Sequence, residues 1–498
     1  MRSIDRWAID VQGVPGLDLM ERAGAATVRE LESLAPEGAV TILCGKGNNG
    51  GDGLVIARLL RDAGRPVTVL IAGSAEEISP EAHANLQRLP GEPPRSLQGA
   101  EIAGHGVVVD ALLGTGFDGE PRGVVAEAID AINAAQLPVL SVDAPSGVDA
   151  SSGAARGRAV RATVTVSFHA GKPGLWIAPG KGLSGDVRVV DIGIPRGAPG
   201  GAWAGLIEPS ILEVLPRRGA DSTKFSSGQA LVAGGSAGMT GAPALAGRAA
   251  ARAGAGYVIL WVPATAAQAV AANGSAELMV RGLTDRDGAH TPEGVQDVLA
   301  ACERAGALAL GPGLGRSDGA VRFARTLAAQ APLPLVLDAD GLNAHAGRLG
   351  DLADRGAPTV MTPHAGELGR LLGIESSEVE RERLHHAREA AQRAEAILVL
   401  KGDDTLVVEP GGRVGISRGG SPALATAGTG DVLSGVIASL LAQGLDAFTA
   451  ACAGVYLHAQ AGRLAAARIG AAEGVIATDV IDSLPAARGS GQPPREGP

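Results

Sequence analysis

Aromatic residues are scarce: Phe, Trp and Tyr together make up 2% of the 498 positions. A surface that reads single-stranded nucleic acid needs stacking rings, and one that grips a phosphate backbone needs a basic excess. This chain has neither, with 43 Lys and Arg against 53 Asp and Glu and a formal net charge of -10. Nucleic acid is therefore not expected as a partner. Small nucleotides remain open, because backbone N–H groups can hold a compact anion. Cysteine is equally sparse: Cys44, Cys302 and Cys452 lie far apart in apolar contexts. Neither a disulfide framework nor a zinc site is expected from them, and buried thiols in a reducing cytosol are. No apolar run approaches membrane-spanning length, and the opening MRSIDRWAID interleaves charge with apolar residues where a signal peptide has a continuous apolar core. The expectation is a cytoplasmic protein without membrane contact.

Glycine, by contrast, is plentiful. Its 74 positions, with 45% hydrophobic residues, suit an α/β protein with buried strands and tight strand-to-helix turns. The length argues for more than one core. From Trp7 to Leu34, apolar residues at helical spacing are broken by Gly13-Val14-Pro15-Gly16, which predicts two helices before any strand. From Ala39 onward AVTILCG reads as a strand, GKGNNGGDG as a glycine loop, LVIARLLRDAG as a helix and PVTVLIAG as a second strand. GVVVDALLGTG, a helix from Val124 to Ala135, PVLSVDAPSG, ATVTVSF and DVRVVDIG extend a mostly parallel sheet. The alternation stops near Pro195, so a boundary is expected between there and Ser227. It restarts with QALVAGG and the alanine-rich helix behind it. The reading gives one domain over 1–210, a second over 220–485 and a disordered tail over 486–498.

Chemistry gathers at strand ends. The loop Gly45 to Gly53 joins a strand to a helix, so it can turn tightly while the helix start offers N–H groups to a phosphate; Asn48 and Asn49 add side-chain donors and carbonyl acceptors. Asp110 ends a strand before the glycine loop Gly114-Thr115-Gly116, and Asp143 precedes Ala-Pro-Ser146. In a parallel sheet these ends share one edge, so Asn49, Asp110, Asp143 and Ser146 can converge, although each carboxylate alone is equally a helix cap or an Asx turn.

MERAG at Met20 to Gly24, GNNGGDG, DALLGTG and SVDAPSGVD together resemble the NAD(P)H-hydrate epimerase family across essentially the whole first half. The resemblance implies a Rossmann-like three-layer α/β/α domain. It also implies substrate contacts at Asn48, Asn49, Gly50, Gly51 and Asp52, at Gly114, Thr115, Gly116, Phe117, Asp118, Gly119 and Glu120, and at Asp143. A potassium ion on Asn49, Asp110 and Ser146 belongs to the same implication. Asp143 is the candidate for proton transfer beside the C6 hydroxyl and ring nitrogen of the hydrated cofactor.

In the second half Ala427-Gly428-Thr429-Gly430-Asp431 opens a long apolar helix with a carboxylate in its first turn. Loop N–H groups can stabilise a transferring phosphoryl group while Asp431 accepts a proton from the attacking hydroxyl; the alternative is an acidic residue that merely suits the helix dipole. GPGLG at Gly311 to Gly315, TPHAGE with His364, and Lys401-Gly402-Asp403-Asp404-Thr405 each follow a strand. With GGSAGMTGAPALAGRAAARAGAG, these strings resemble the ADP-dependent NAD(P)H-hydrate dehydratases. That resemblance implies a ribokinase-like α/β domain using ADP and Mg²⁺. Lys401, Gly402, Asp403, Asp404, Thr405 and Gly430 would line the nucleotide, and Gly315, His364 and Asp431 would face the hydrated cofactor. The whole reads as a bifunctional enzyme acting on NADHX and NADPHX, expected as a homo-oligomer. The competing reading is a small-molecule kinase of the vitamin-precursor type with a regulatory ligand-binding first half.

Overall fold

The computed structural model describes residues 2–490 other than 75, 100–101 and 103–105. Two helices, Arg2–Asp10 and Gly16–Leu34, precede the first strand, as the apolar spacing around Gly13 to Gly16 predicts. Seven strands follow: β1 Val40–Cys44, β2 Val67–Ile71, β3 Arg95–Ser96, β4 Val107–Ala111, β5 Val139–Val142, β6 Val164–Phe168 and β7 Asp186–Val190. All pair in parallel in the order β3-β2-β1-β4-β5-β6-β7. The chain leaves β1 toward one edge, returns to β4 and builds toward the other, so β1 and β4 flank the point where the order reverses. Crevices for ligands open there, at the C-terminal ends of the strands.

The period-2 pattern of strands decides which layer each side chain joins. Val40, Ile42 and Cys44 of β1, with Val107 and Val109 of β4, pack into the core that includes Leu54 and Leu60 of helix Asn48–Asp62. Leu43 and Val108 point the other way, into the core that holds Ile129 and Ile132 of helix Gly123–Ala134. The result is a three-layer sandwich.

The second sheet holds β8 Ala204–Ile207, β9 Gln229–Ala233, β10 Tyr257–Pro263 and β11 Met279–Leu283; the hairpin β12 Asp285–Arg286 and β13 Ala289–His290 stands outside it. It continues with β14 Ala307–Leu310, β15 Leu335–Leu337, β16 Thr359–Met361, β17 Ile397–Leu400, β18 Leu406–Val408 and β19 Val414–Ser417. The order is β11-β10-β9-β14-β15-β16-β17-β18-β19-β8, parallel throughout except for β18, which runs antiparallel to both neighbours. One core packs Val432, Val436 and Leu440 of helix Thr429–Ala442 with Ala246 and Ala250 of helix Gly241–Arg252 and with Val480 and Ile481 of helix Ala477–Gly489.

Two boundaries differ from the sequence reading. The first compact unit runs to Ala202 and also takes in Arg381–Arg383, and the second begins at Trp203. Residues 204–207, assigned by pattern to the first domain, therefore form the edge strand β8, which pairs with β19 far along the chain. Residues 486–489, assigned to the tail, complete helix Ala477–Gly489: Ala487 is fully buried, and Arg488 is tied to the carbonyl of Ala253 at 2.7 Å. The remainder of the expected tail, 491–498, lies outside the described residues. No described helix is long and apolar enough to cross a membrane.

Candidate active sites

In the first unit a cleft of about 680 Å³ opens where β1, β4 and β5 end. Gly45 and Gly50 shape its floor: a Cβ on Gly45 would stand 1.8 Å from the carbonyl oxygen of Leu112, and one on Gly50 2.0 Å from that of Gly45. Only bare backbone permits these loops to approach so closely. Of the substrate contacts implied by resemblance, Asn48, Asn49, Asp52, Gly114, Thr115, Gly116, Phe117 and Asp143 line the cleft. Gly50 and Gly51 lie buried in the first turn of helix Asn48–Asp62, where they let the loop pack. Asp118, Gly119 and Glu120 are not among the lining residues, and Asp118 pairs with Arg156 at 3.4 Å.

Asp143 sits at the centre. Its backbone adopts a left-handed φ of 68°, an unusual setting for a residue that is not glycine. One carboxylate oxygen accepts from Lys172 Nζ at 2.6 Å and the other from the Thr115 N–H at 3.3 Å. Lys172 is buried and also donates to the Phe168 carbonyl at 2.8 Å, so the pair is held rigidly. Asp52 faces the same space. Burial first, then the charges of Asp143 and Asp5, hold its pKa well above the usual carboxylate range, against a smaller opposing pull from Lys172. Burial and Asp143 also raise the pKa of Asp5. Carboxyls whose pKa is raised beside an ammonium-paired carboxylate put groups suited to donate and to accept a proton in one cleft.

Asp110, Ser146 and Asn49 converge behind it. Asp110 is fully buried and accepts from Ser141 Oγ at 2.8 Å, Ser146 N at 2.9 Å and Ser146 Oγ at 2.5 Å. The Leu113 carbonyl accepts from Asn49 Nδ2 at 3.0 Å, Ser146 Oγ accepts from the Leu113 N–H at 2.9 Å and Asp110 from the Leu112 N–H at 3.3 Å, which draws all three residues onto one loop. Burial raises the Asp110 pKa and the hydrogen bonds from Ser146 and Ser141 oppose it. Among the described residues no cationic side chain pairs with Asp110. A carboxylate, a hydroxyl, a backbone carbonyl and an amide around one buried spot are hard oxygen donors with uncompensated charge, the donor chemistry that suits an alkali cation.

The second site lies where β14, β15, β16 and β17 end. Asp338, just past β15, is buried and accepts from Lys401 Nζ at 3.1 Å and Ser434 Oγ at 2.6 Å. Lys401, just past β17, also stands 3.5 Å from Glu367. Its pKa is raised because Asp338 and Glu367 outweigh the cost of burial. Gly428, in the left-handed region at φ 88°, starts helix Thr429–Ala442 and delivers Asp431 to this cluster. A Cβ on Gly430 would stand 3.6 Å from the Lys401 ammonium, so the expected phosphate contacts Gly430 and Lys401 are neighbours. Burial, then the charge of Asp338, push the Asp431 pKa up to about 7, with Lys401 opposing.

The other expected residues flank that centre. His364 caps helix Ala365–Leu372: its Nδ1 accepts from the N–H of Gly366 at 3.0 Å and of Glu367 at 3.3 Å, while its side chain stays half exposed and its Nε2 stands 3.6 Å from the Glu367 carboxylate. Burial lowers its pKa, which keeps the ring neutral at pH 7. Gly315 donates to Asp340 at 3.0 Å and stands in a left-handed turn at φ 82°. Thr405 Oγ closes the turn after β17 by donating to the Gly402 carbonyl at 2.7 Å, Asp403 accepts from the Gly420 N–H at 3.1 Å, and Asp404 is buried. Replacing Lys401 with Met leaves Asp338 buried beside Glu367 with no cation, an arrangement that costs about 3–5 kcal/mol when one partner of a buried pair is removed. Thermal unfolding of the second unit is expected to shift down accordingly, and an unchanged transition would show that the pair is solvated.

Residues 16–174 match the family model described as YjeF-related protein N-terminus, and residues 230–486 the model described as NAD(P)H-hydrate dehydratase. The chain is 39% identical to the bifunctional NAD(P)H-hydrate repair enzyme Nnr of Salinibacter ruber, over 97% of this chain and 94% of that protein. It belongs to the bifunctional NAD(P)H-hydrate repair enzyme family. The Moorella thermoacetica member of this repair family is also 39% identical over 97% of the chain and 94% of its own. Among solved structures, the ADP/ATP-dependent NAD(P)H-hydrate dehydratase of Bacillus subtilis, co-crystallized with ATP and Mg²⁺, is similar at 29% identity and a TM-score of 0.50, covering 58% of this chain and 98% of that one. The repair-family fold is thus Rossmann-like in its first unit and ribokinase-like in its second.

Pattern reading within this repair-family chain assigned no role to several residues that the structure brings to the two sites, among them Asp5 and Lys172 in the first, and Asp338, Glu367 and Ser434 in the second. The chain has only five lysines, and three of them, Lys46, Lys172 and Lys401, lie near strand ends in the two sites. That scarcity is the one signal in the sequence that could have found Lys172.

Proposed function

We propose that the chain repairs hydrated NADH and NADPH in two steps, epimerising the C6 centre in the first unit and dehydrating the S epimer with ADP in the second. The observation that carries this is the second cluster. A helix-borne Asp431 that is half protonated near neutral pH faces Lys401, Asp338 and a glycine turn suited to phosphoryl groups.

Asp431 takes the proton of the C6 hydroxyl as its oxygen attacks the terminal phosphoryl group of ADP, and AMP departs. Lys401 and the N–H groups from Gly428 onward balance the charge on the phosphoryl oxygens. The ring nitrogen then expels phosphate from C6, and loss of a C5 proton restores the dihydropyridine, so ADP and hydrate give AMP, phosphate and NAD(P)H. Hydroxide is a poor leaving group and phosphate a good one, which is why a nucleotide is consumed. Asp338, Glu367 and Asp431 surround a single ammonium and leave net negative charge, so these oxygens fit Mg²⁺, which would screen the phosphates when bound. In the first unit Asp143 relays the proton that lets the ring nitrogen open the ring or expel the hydroxyl, and Lys172 fixes the orientation of that carboxylate. Asn49, Asp110 and Ser146 fit K⁺, which would order the loop oxygens around the cleft.

Two experiments test these roles. Product analysis with ADP and Mg²⁺ is expected to give NADH, AMP and phosphate in equal amounts; accumulation of a stable phosphorylated organic product would instead support the kinase reading. Asp110→Asn is expected to abolish stimulation of epimerisation by KCl at constant ionic strength, and an unaltered K⁺ response would remove the ion from this site.

A further inference from the structure

The second unit has another cavity, of about 530 Å³, on the opposite edge of its sheet. Its walls come from the segment before β9, from the turn between helix Gly241–Arg252 and β10, and from the ends of helices Thr429–Ala442 and Ala477–Gly489. These are N-terminal strand ends, whereas Asp338 and Lys401 follow C-terminal ones. Arg217, Arg218, Arg252 and Arg488 line it, with Ser222 and Ser226, and no Asp or Glu does.

Four guanidiniums in a pocket wall that holds no carboxylate stand out in a chain whose acidic residues outnumber its basic ones, 53 to 43, although Arg252 also acts electrostatically on Glu277 outside the wall. Elsewhere Arg58, Arg188, Arg316 and Arg413 sit in ion pairs. Among the described residues, none of these four has an acidic partner within ion-pairing distance. Two of them are also fixed in place. Arg488 donates to the carbonyls of Ala253, at 2.7 Å, and Pro216, and Arg218 to the carbonyl of Gly254 at 3.0 Å. Burial, and then the neighbouring charge of Arg218, lower the Arg488 pKa. Like charges held together by neutral carbonyl acceptors, with N–H groups left over, are relieved by an anion that accepts from several guanidiniums at once.

We propose that this pocket is a second ligand site, specific for a diphosphate-bearing anion and separate from the nucleotide edge. Two adjacent phosphoryl groups match the charge and the forked donors of four arginines better than a carboxylate does, and the mainly polar wall offers no platform for a nucleobase. The site does not depend on the repair reading.

Calorimetric titration of the full chain with inorganic pyrophosphate, at low salt and without divalent cations, tests it. Among the described residues the side chains of Arg217 and Arg252 make no hydrogen bond, so the double variant Arg217→Gln/Arg252→Gln tests the pocket without dismantling it. One saturable site is expected in the parent, weakened about tenfold or more in the double variant, with ADP-dependent dehydration unchanged. Equal affinity in parent and variant would place the binding at the nucleotide edge and overturn the proposal. Absence of a saturable site in the parent would overturn it equally.

Discussion

Asp431→Asn is expected to stop ADP-dependent recovery of NADH, lowering the rate by roughly 10²–10⁴-fold, while interconversion of the two hydrate epimers continues. An amide keeps the shape of the site and cannot accept the hydroxyl proton. The pH dependence follows from the carboxyl pKa of about 7. The base must be ionised, so the parent's rate should rise with pH through that value and level off above it, and the residual rate of the variant should lose this step. The effect on stability has the opposite sign. A carboxyl whose pKa is raised on folding binds its proton more tightly in the folded state, so the folded chain loses stability as pH rises between the ordinary value of 3.8 and about 7. Without metal or nucleotide, the Asn variant should therefore outlast the parent at pH 8, by up to about 4 kcal/mol, and match it near pH 3. Thermal unfolding at both pH values checks this; a variant less stable at pH 8 would mean that Asp431 is not strained by burial.

Asp143→Asn is expected to reduce epimerisation by roughly 10²–10⁴-fold and leave dehydration of the S epimer untouched. Following both epimers by chromatography in the presence of ADP separates the two: one disappears at the parent rate and the other only as fast as it converts spontaneously. The substitution also leaves the Lys172 ammonium buried without its carboxylate, so a loss of fold could mimic a loss of chemistry. The pair variant Asp143→Asn/Lys172→Met removes that charge. If it recovers the unfolding temperature but not epimerisation, the carboxylate is catalytic; if it recovers both, Asp143 is structural.

The sheets were legible because buried parallel strands read as unbroken apolar runs, as in VTILC and VVVDA, and because the glycine loops mark where each run turns into a helix. The carboxylates at those ends, Asp110 and Asp143, were legible for the same reason. What pattern could not supply was reach. Lys172 lies 29 residues from Asp143, in a loop with no regular period, and only its fold back to Phe168 brings the ammonium to the carboxylate. Asp338 directly follows the apolar run of β15 and Glu367 lies within TPHAGE, yet their meeting depends on β15, β16 and β17 lying side by side. The edge strand β8 failed for the related reason that its partner β19 is some two hundred residues away. Its four residues, AGLI, show no alternation that would separate them from a linker.

The most direct test follows dihydronicotinamide absorbance from an equal mixture of the two hydrate epimers, with ADP, Mg²⁺ and K⁺, for the parent, Asp431→Asn and Asp143→Asn. Complete recovery by the parent, none by Asp431→Asn, and rapid recovery of only half by Asp143→Asn would show both units at work on one substrate. No recovery by the parent with either ADP or ATP would contradict the account at its root.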